Sequence, residues 1–258
     1  MSSSTERLPE LPAVDSKPFD LPGSRGAAAL CLHGLTGTPY EVRPLGEALA
    51  ASGIRALGPA LPGHNATPQE LAGVAHTEWL EAARARLAEL HTAADRVFVV
   101  GLSMGGLLAL ALAQEQRVDG VVVVGTPLRL HQPLARLIPL FKYLRPMAPK
   151  LLGSDIRDAA ARERHPSYDA MPLHSVHELQ RLQRRVRDGL GRVTAPILIA
   201  HGAHDRTANP KDAAVIRDGV SSPVCELLVL PESAHVVPVD VDGPALARAV
   251  AEFLVRLC

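Results

Sequence analysis

Short, largely apolar runs alternate with longer segments of helical composition along most of this chain. Ala27–Leu32, Ile54–Leu57, Val97–Val100, Val121–Val124, Ala195–Ala200 and Cys225–Leu230 are bounded by glycine, proline or polar turns. Runs this short predict strands, and Ala27–Leu32, Val97–Val100 and Val121–Val124 predict strands buried on both faces. Lys17–Pro22 reads as an edge strand before the turn Gly23-Ser24-Arg25-Gly26. Helices are predicted over Glu41–Ser52, closed by Gly53 as a C′ glycine, and after Thr77, where Trp79, Leu80, Leu87 and Leu90 recur at helical spacing. A Leu/Ala-rich helix follows Gly106, and two more begin near Lys211 and Gly243. Buried strands alternating with helices predict an α/β domain with a mostly parallel central sheet flanked by helices.

The alternation stops between Pro127 and about Gly191. That stretch carries Leu134, Leu137, Ile138, Leu140, Phe141, Tyr143 and Leu144, then prolines, then a basic helix near Glu178–Arg187. An apolar excursion inserted after the strand at 121–124 predicts a small helical cap over a pocket, about residues 127–191. Residues 1–16 are polar and proline-bearing and read as a flexible arm; 17–258 read as one domain. The 27 basic and 27 acidic residues cancel, which removes any electrostatic reason to expect nucleic acid or a strongly acidic substrate. Cys31, Cys225 and Cys258 lack metal-ligand spacing, and no histidine pair stands at helical spacing with a glutamate, so neither metal nor cofactor is expected. The start has no basic segment followed by an apolar one, and no run of about 18 apolar residues occurs, so stable membrane insertion is not expected and the cytoplasm is.

The candidate chemistry sits between the strand at 97–100 and the helix after it, as Gly101-Leu102-Ser103-Met104-Gly105. A serine in a tight strand-to-helix turn is thrust from the end of the sheet, and the helix amides point at charge that forms there. Serine needs a base, and the base an orienting acid. Downstream, Asp205 follows the strand 195–200 and His235 follows the strand 225–230. Asp212, Asp240 and Asp242 compete as acids but fit helix starts and loops, and His204 competes as base. His33, His64 and His201 also fall in predicted loops near the site; His33 suits a structural role in its glycine turn. Two amides should face a developing oxyanion: Met104, after the nucleophile, and Leu35, in the glycine loop His33-Gly34-Leu35-Thr36-Gly37-Thr38-Pro39.

Together, the 33–39 loop, Gly-Leu-Ser-Met-Gly at 101–105, the Asp205 loop and Ser-Ala-His at 233–235 resemble the α/β-hydrolase superfamily, and within it the bacterial carboxylesterases and monoacylglycerol lipases. The resemblance runs from about residue 17 to the end. It implies an α/β-hydrolase fold, Ser103 as nucleophile, Asp205 as acid, His235 as base, and Leu35 and Met104 as oxyanion donors, without cofactor or metal. It also implies a small ester substrate with an apolar acyl chain, from short- and medium-chain esters to monoacylglycerols. The same triad serves acyltransferases, thioesterases, lactonases and amidases, and the fold also serves non-catalytic binders. At Gly63-His64-Asn65 the chain departs from the Gly-His-Gly common in relatives, and the cap region is unusually rich in arginine.

Overall fold

The computed structural model describes residues 14–131, 137–150, 153–168 and 170–258; residues 1–13 of the expected arm and Leu134 of the apolar run lie outside the described residues. In chain order the elements are β1 (Phe19–Leu21), β2 (Ala27–Leu32), α1 (Arg43–Ala51), β3 (Arg55–Gly58), α2 (Pro68–Ala72), α3 (His76–Ala93), β4 (Arg96–Leu102), α4 (Met104–Glu115) and β5 (Gly120–Val124). There follow α5 (Ile138–Leu144), β6 (Met147–Pro149), α6 (Ala159–Arg164), β7 (Ala170–Pro172) and α7 (Leu173–Gly189), then β8 (Ile197–Gly202), α8 (Lys211–Gly219), β9 (Cys225–Leu230) and α9 (Gly243–Val255).

Seven strands form one sheet in the order β1-β3-β2-β4-β5-β8-β9, parallel except for β1, which pairs antiparallel with β3 at the edge. The apolar runs divide by the two-residue period of a strand. Leu30, Val99, Val121, Val123 and Ile199 face one layer with Trp79, Leu87, Leu107 and Leu182. Cys31, Phe98, Val100, Val122 and Leu198 face the other, with Leu45, Leu49, Val250 and Phe253 of α1 and α9. Helix α4 is apolar all round and buried from Met104 to Gln114, as a helix clamped between sheet and neighbouring helices must be.

Three boundaries differ from expectation. Helix α3 starts one residue before Thr77, because the Glu78 carboxylate accepts the Ala75 amide at 2.9 Å and closes the first turn itself. The helix expected from Glu41 is split into a 3-10 turn, Pro39–Glu41, and α1. The strand 195–200 runs to Gly202, so His201 belongs to β8 and not to a loop. The insertion after β5 contains α5, α6 and α7 and a two-stranded antiparallel pair, β6-β7. Val176, Leu179, Leu182 and Val186 recur every three or four residues on α7 and are buried, while Arg181, Arg184 and Arg185 point outward. Among the described residues no helix is long and apolar enough to cross a membrane.

Candidate active site

From β2 the chain turns outward to β3; from β4 it proceeds the other way, to β5 and β8. In open parallel sheets that reversal leaves a crevice at the carboxyl ends of the two strands, which is where ligands bind. The loops leaving β2 and β4 meet there: a Cβ placed on Gly34 would lie 3.5 Å from that of Ser103. Ser103 takes φ 55° and ψ −114°, a region costly for a residue with a side chain. Its amide is tied to Val124 O at 2.8 Å, and its carbonyl accepts the amides of Gly106 and Leu107 at 3.0 and 3.2 Å. The two motif glycines are required by contact, since a Cβ on Gly101 would overlap the Gly105 backbone and one on Gly105 the Leu32 carbonyl.

The expected acid and base converge on this serine. His235 Nε2 lies 2.9 Å from Ser103 Oγ, and His235 Nδ1 lies 2.8 Å from Asp205 Oδ2. The other Asp205 oxygen accepts the amides of Thr207 and Ala208 at 2.9 and 2.8 Å, which fixes the carboxylate. Burial pushes the Asp205 carboxyl up, but the His235 and His201 imidazoles beside it outweigh this and hold it well below the usual range. Burial pulls His235 down, and the charge and hydrogen bond of Asp205 carry it above its ordinary 6.5. A carboxylate can only accept, so Nδ1 carries the proton and Nε2 turns its lone pair to the serine. His201 Nε2 stands 2.9 Å from the same carboxylate oxygen but is not aligned for a hydrogen bond.

The competing residues have other work. Asp212 accepts the Leu128 amide at 2.8 Å; Asp240 gathers the amides of Arg157, Asp158 and Ala234; Asp242 accepts that of Glu232. His204 is exposed on its turn. His64 is buried against His33 and Trp79, with Nδ1 3.1 Å from Pro62 O. Asn65 adopts φ 58°; asparagine is among the few residues that tolerate it.

Behind the β2 loop, His33 braces its glycine turn as expected, and Glu41 joins it in a way the sequence did not reveal. His33 Nε2 accepts the Leu61 amide at 3.1 Å, so Nδ1 carries the proton and donates to Gly34 O at 2.9 Å. The Gly37 amide also reaches Gly34 O, at 3.2 Å. In a trans peptide the N–H opposes the C=O, so anchoring Gly34 O fixes the direction of the Leu35 amide. Glu41 Oε2 accepts the Gly34 amide at 2.8 Å. Asp155 was also missed: its carbonyl accepts the His235 and Val236 amides, and its carboxylate accepts the Arg206 amide at 2.8 Å, tying the acid and base loops together.

These loops open into a cavity of about 790 Å³ lined by Ser103 and His235 and by apolar side chains including Leu35, Leu130, Met171 and Leu179. The apolar run of the insertion divides: Ile138 faces the cavity, whereas Leu140, Tyr143 and Leu144 on the same helix are 66%, 73% and 77% exposed. The remaining apolar roof comes from Met171, Leu173, Val176 and Leu179.

Known proteins share this architecture. The chain is 30% identical to the thermostable monoacylglycerol lipase of Bacillus sp. (strain H-257) over 88% of this chain and 90% of that one. It is 25% identical to the carboxylesterase of Bacillus subtilis (strain 168), over 95% and 98%. A solved structure from the metagenome-derived lipolytic enzymes LipS and LipT superposes with a TM-score of 0.89 at 28% identity, covering 95% of this chain and 99% of that one. The Paleococcus ferrophilus monoacylglycerol lipase superposes with a TM-score of 0.80 at 18% identity, over 93% and 98%, a likeness of fold. The fold is therefore that of the α/β-hydrolases. The family profile described as serine aminopeptidase, S33, matches residues 23–242, a span that holds Ser103, Asp205 and His235, and the chain belongs to that family.

Proposed function

We propose that the protein hydrolyses carboxylic esters of apolar acids, from short- and medium-chain acyl esters to monoacylglycerols, through an acyl-enzyme on Ser103. The observation that carries this reading is the unbroken chain Asp205–His235–Ser103 opening into an apolar cavity. His235 takes the proton of Ser103 as Oγ attacks the ester carbonyl. The tetrahedral oxyanion is received by the amides of Leu35 and Met104; the latter is the first helical residue of α4, whose leading amides have no acceptor within the helix. The imidazolium is stabilised by Asp205 and protonates the departing alcohol. Water, activated by the same histidine, then releases the acid. Residues 127–191 act as the cap that supplies the apolar roof.

Aminopeptidase activity, suggested by the family's description, is less well supported. A free α-ammonium group calls for an available carboxylate near the scissile bond. Among the described residues, the two carboxylates that line the cavity are engaged: Glu41 with Gly34 and His165, and Asp155 with Arg206 and Thr207. The three cysteines are free thiols, in keeping with a reducing, cytoplasmic setting.

The test is turnover of p-nitrophenyl esters of increasing acyl length, beside a monoacylglycerol and an aminoacyl amide. Burial of each added methylene should raise kcat/KM about fourfold, from about 0.8 kcal/mol per group, until the cavity is full. A flat series, or faster turnover of the amide, overturns the proposal.

A further inference from the structure

We propose that Glu41 and His165 are positioning residues, through which the segment 153–168 of the insertion holds the Leu35 amide in place. This inference rests on the ester-hydrolase reading above. Glu41 and His165 stand 124 positions apart in the chain, yet His165 Nε2 lies 3.0 Å from Glu41 Oε1, with the two side chains 2% and 5% exposed. The other Glu41 oxygen holds the Gly34 amide. The glycine loop is wrapped round this carboxyl, since a Cβ on Gly37 would overlap it.

The link extends further into the insertion. His165 Nδ1 lies 2.7 Å from Ser154 Oγ. A second tie joins the same two regions: Lys150 Nζ donates to Thr36 Oγ1 and Ser167 Oγ at 3.1 and 2.6 Å, and Ser167 Oγ donates to Thr36 O at 3.3 Å. Thr36 has φ 63°, so the loop is gripped where its backbone is least at ease.

An ionised carboxylate so deeply buried is costly, and an apolar residue would fill the space without that cost. What an apolar residue could not do is accept the Gly34 amide. The peptide before Gly34 is fixed by Glu41 and the peptide after it by His33, and the second of these carries the Leu35 amide. Two neighbouring peptide planes are thus pinned, one from the sheet side and one from the insertion. Loss of the His165 contact loosens Glu41 and with it the first plane; the second, hinged to it at the Gly34 Cα, then keeps only the His33 and Gly37 bonds to hold the Leu35 amide on the oxyanion.

The experiment compares wild type with Glu41→Ala, Glu41→Gln, His165→Leu, His165→Gln, Ser154→Ala and, as reference, Ser103→Ala. The readouts are kcat and KM on p-nitrophenyl butyrate, inhibition by an alkylboronic acid, which mimics the tetrahedral intermediate, and circular dichroism for folding. Loss of one oxyanion donor costs about 10²–10³ in kcat, so its misplacement in Glu41→Ala and His165→Leu should cost about 10–100-fold. KM should change little, and boronate inhibition should weaken by the same factor as kcat. Glu41→Gln keeps an oxygen for Gly34, and His165→Gln keeps a donor for Glu41, so both should retain most of the activity. Folded Glu41→Ala or His165→Leu protein with wild-type kcat, or with lowered kcat but undiminished boronate inhibition, overturns the inference. If Glu41→Ala does not fold, His165→Leu carries the same comparison, and Ser154→Ala, one bond further from the loop, should lower kcat by less than about tenfold. An active wild type with an inert Ser103→Ala and unaffected positioning variants sinks this inference alone. A wild type that turns over no ester sinks the functional reading, and boronate binding still reads the loop.

Discussion

Two chains of serine, histidine and carboxylate meet at one cavity in this protein: Ser103–His235–Asp205, whose serine and histidine line it, and Ser154–His165–Glu41, which lines it throughout. Their hydrogen bonds are of similar length, and their surroundings differ. Ser103 is held at a strained φ at the start of α4, with free helix amides beside it. Ser154 lies in irregular backbone five residues before α6, and it bonds the imidazole through Nδ1 rather than Nε2. Asp205 is anchored by two amides of its own loop, whereas Glu41 is bonded to the loop that carries the proposed oxyanion donor, Leu35. On the roles proposed above, the same three residue types make a nucleophile in one place and a brace in the other. Which one results depends on the backbone N–H groups around the serine.

The largest test of this contrast is to remove each serine. In ester-turnover assays, Ser103→Ala should lower kcat by about 10⁴- to 10⁶-fold, and Ser154→Ala by less than about tenfold. Equal losses would erase the distinction. The two acids come next. Asp205→Asn should cost about 10⁴ in kcat because the imidazole is then held in the wrong tautomer, while Glu41→Gln keeps its acceptor. The same variant sharpens the pH profile. His235 must be neutral to take the serine proton, and Asp205 raises its pKa above 6.5. The rising limb of kcat/KM should therefore lie above pH 6.5 in wild type, and its midpoint should move to lower pH in Asp205→Asn.

A smaller effect is expected in stability. The Glu41 carboxyl is held at about 2 against an ordinary 4.5, burial being outweighed by His165, His33 and the Gly34 amide. A depressed folded pKa stabilises above the unfolded value and loses that contribution as pH falls, so wild type should lose on the order of a few kcal/mol between pH 4.5 and 2. Denaturant titrations of Glu41→Gln over that range should lack this part of the slope. The smallest effect lies outside both chains. Asn65→Gly relieves φ 58° but gives up a bond from Asn65 Nδ2 to Ser16 O, so stability should move by less than about 0.5 kcal/mol and kcat not at all.

The two chains were unequally legible in the sequence. Ser103, Asp205 and His235 each follow a predicted strand, so the order of strands along the chain leads to them. Glu41 reads as an acid at a helix start, the commonest place for one, and His165 lies in a proline-bearing stretch without period. Nothing local pairs them. The same limit explains α5, where an apolar run read as pocket lining: Ile138 faces the cavity and Leu144 the solvent, and composition does not say which side a helix turns. Thr77 illustrates the boundary problem, since a side chain three residues beyond Ala75 outbid the nearer hydroxyl for the helix start.

By itself the sequence determined the sheet, the tight turn at Ser103 and the three residues gathered at its end. Those carry local marks: short apolar runs, glycines where no Cβ fits, and loops that leave successive strands of one parallel sheet at the same edge. The tertiary structure alone decided which face of the insertion lines the cavity, and that Glu41 and His165 meet behind the glycine loop. Contacts between residues more than a hundred positions apart depend on how layers pack, and packing leaves no periodic mark on either segment.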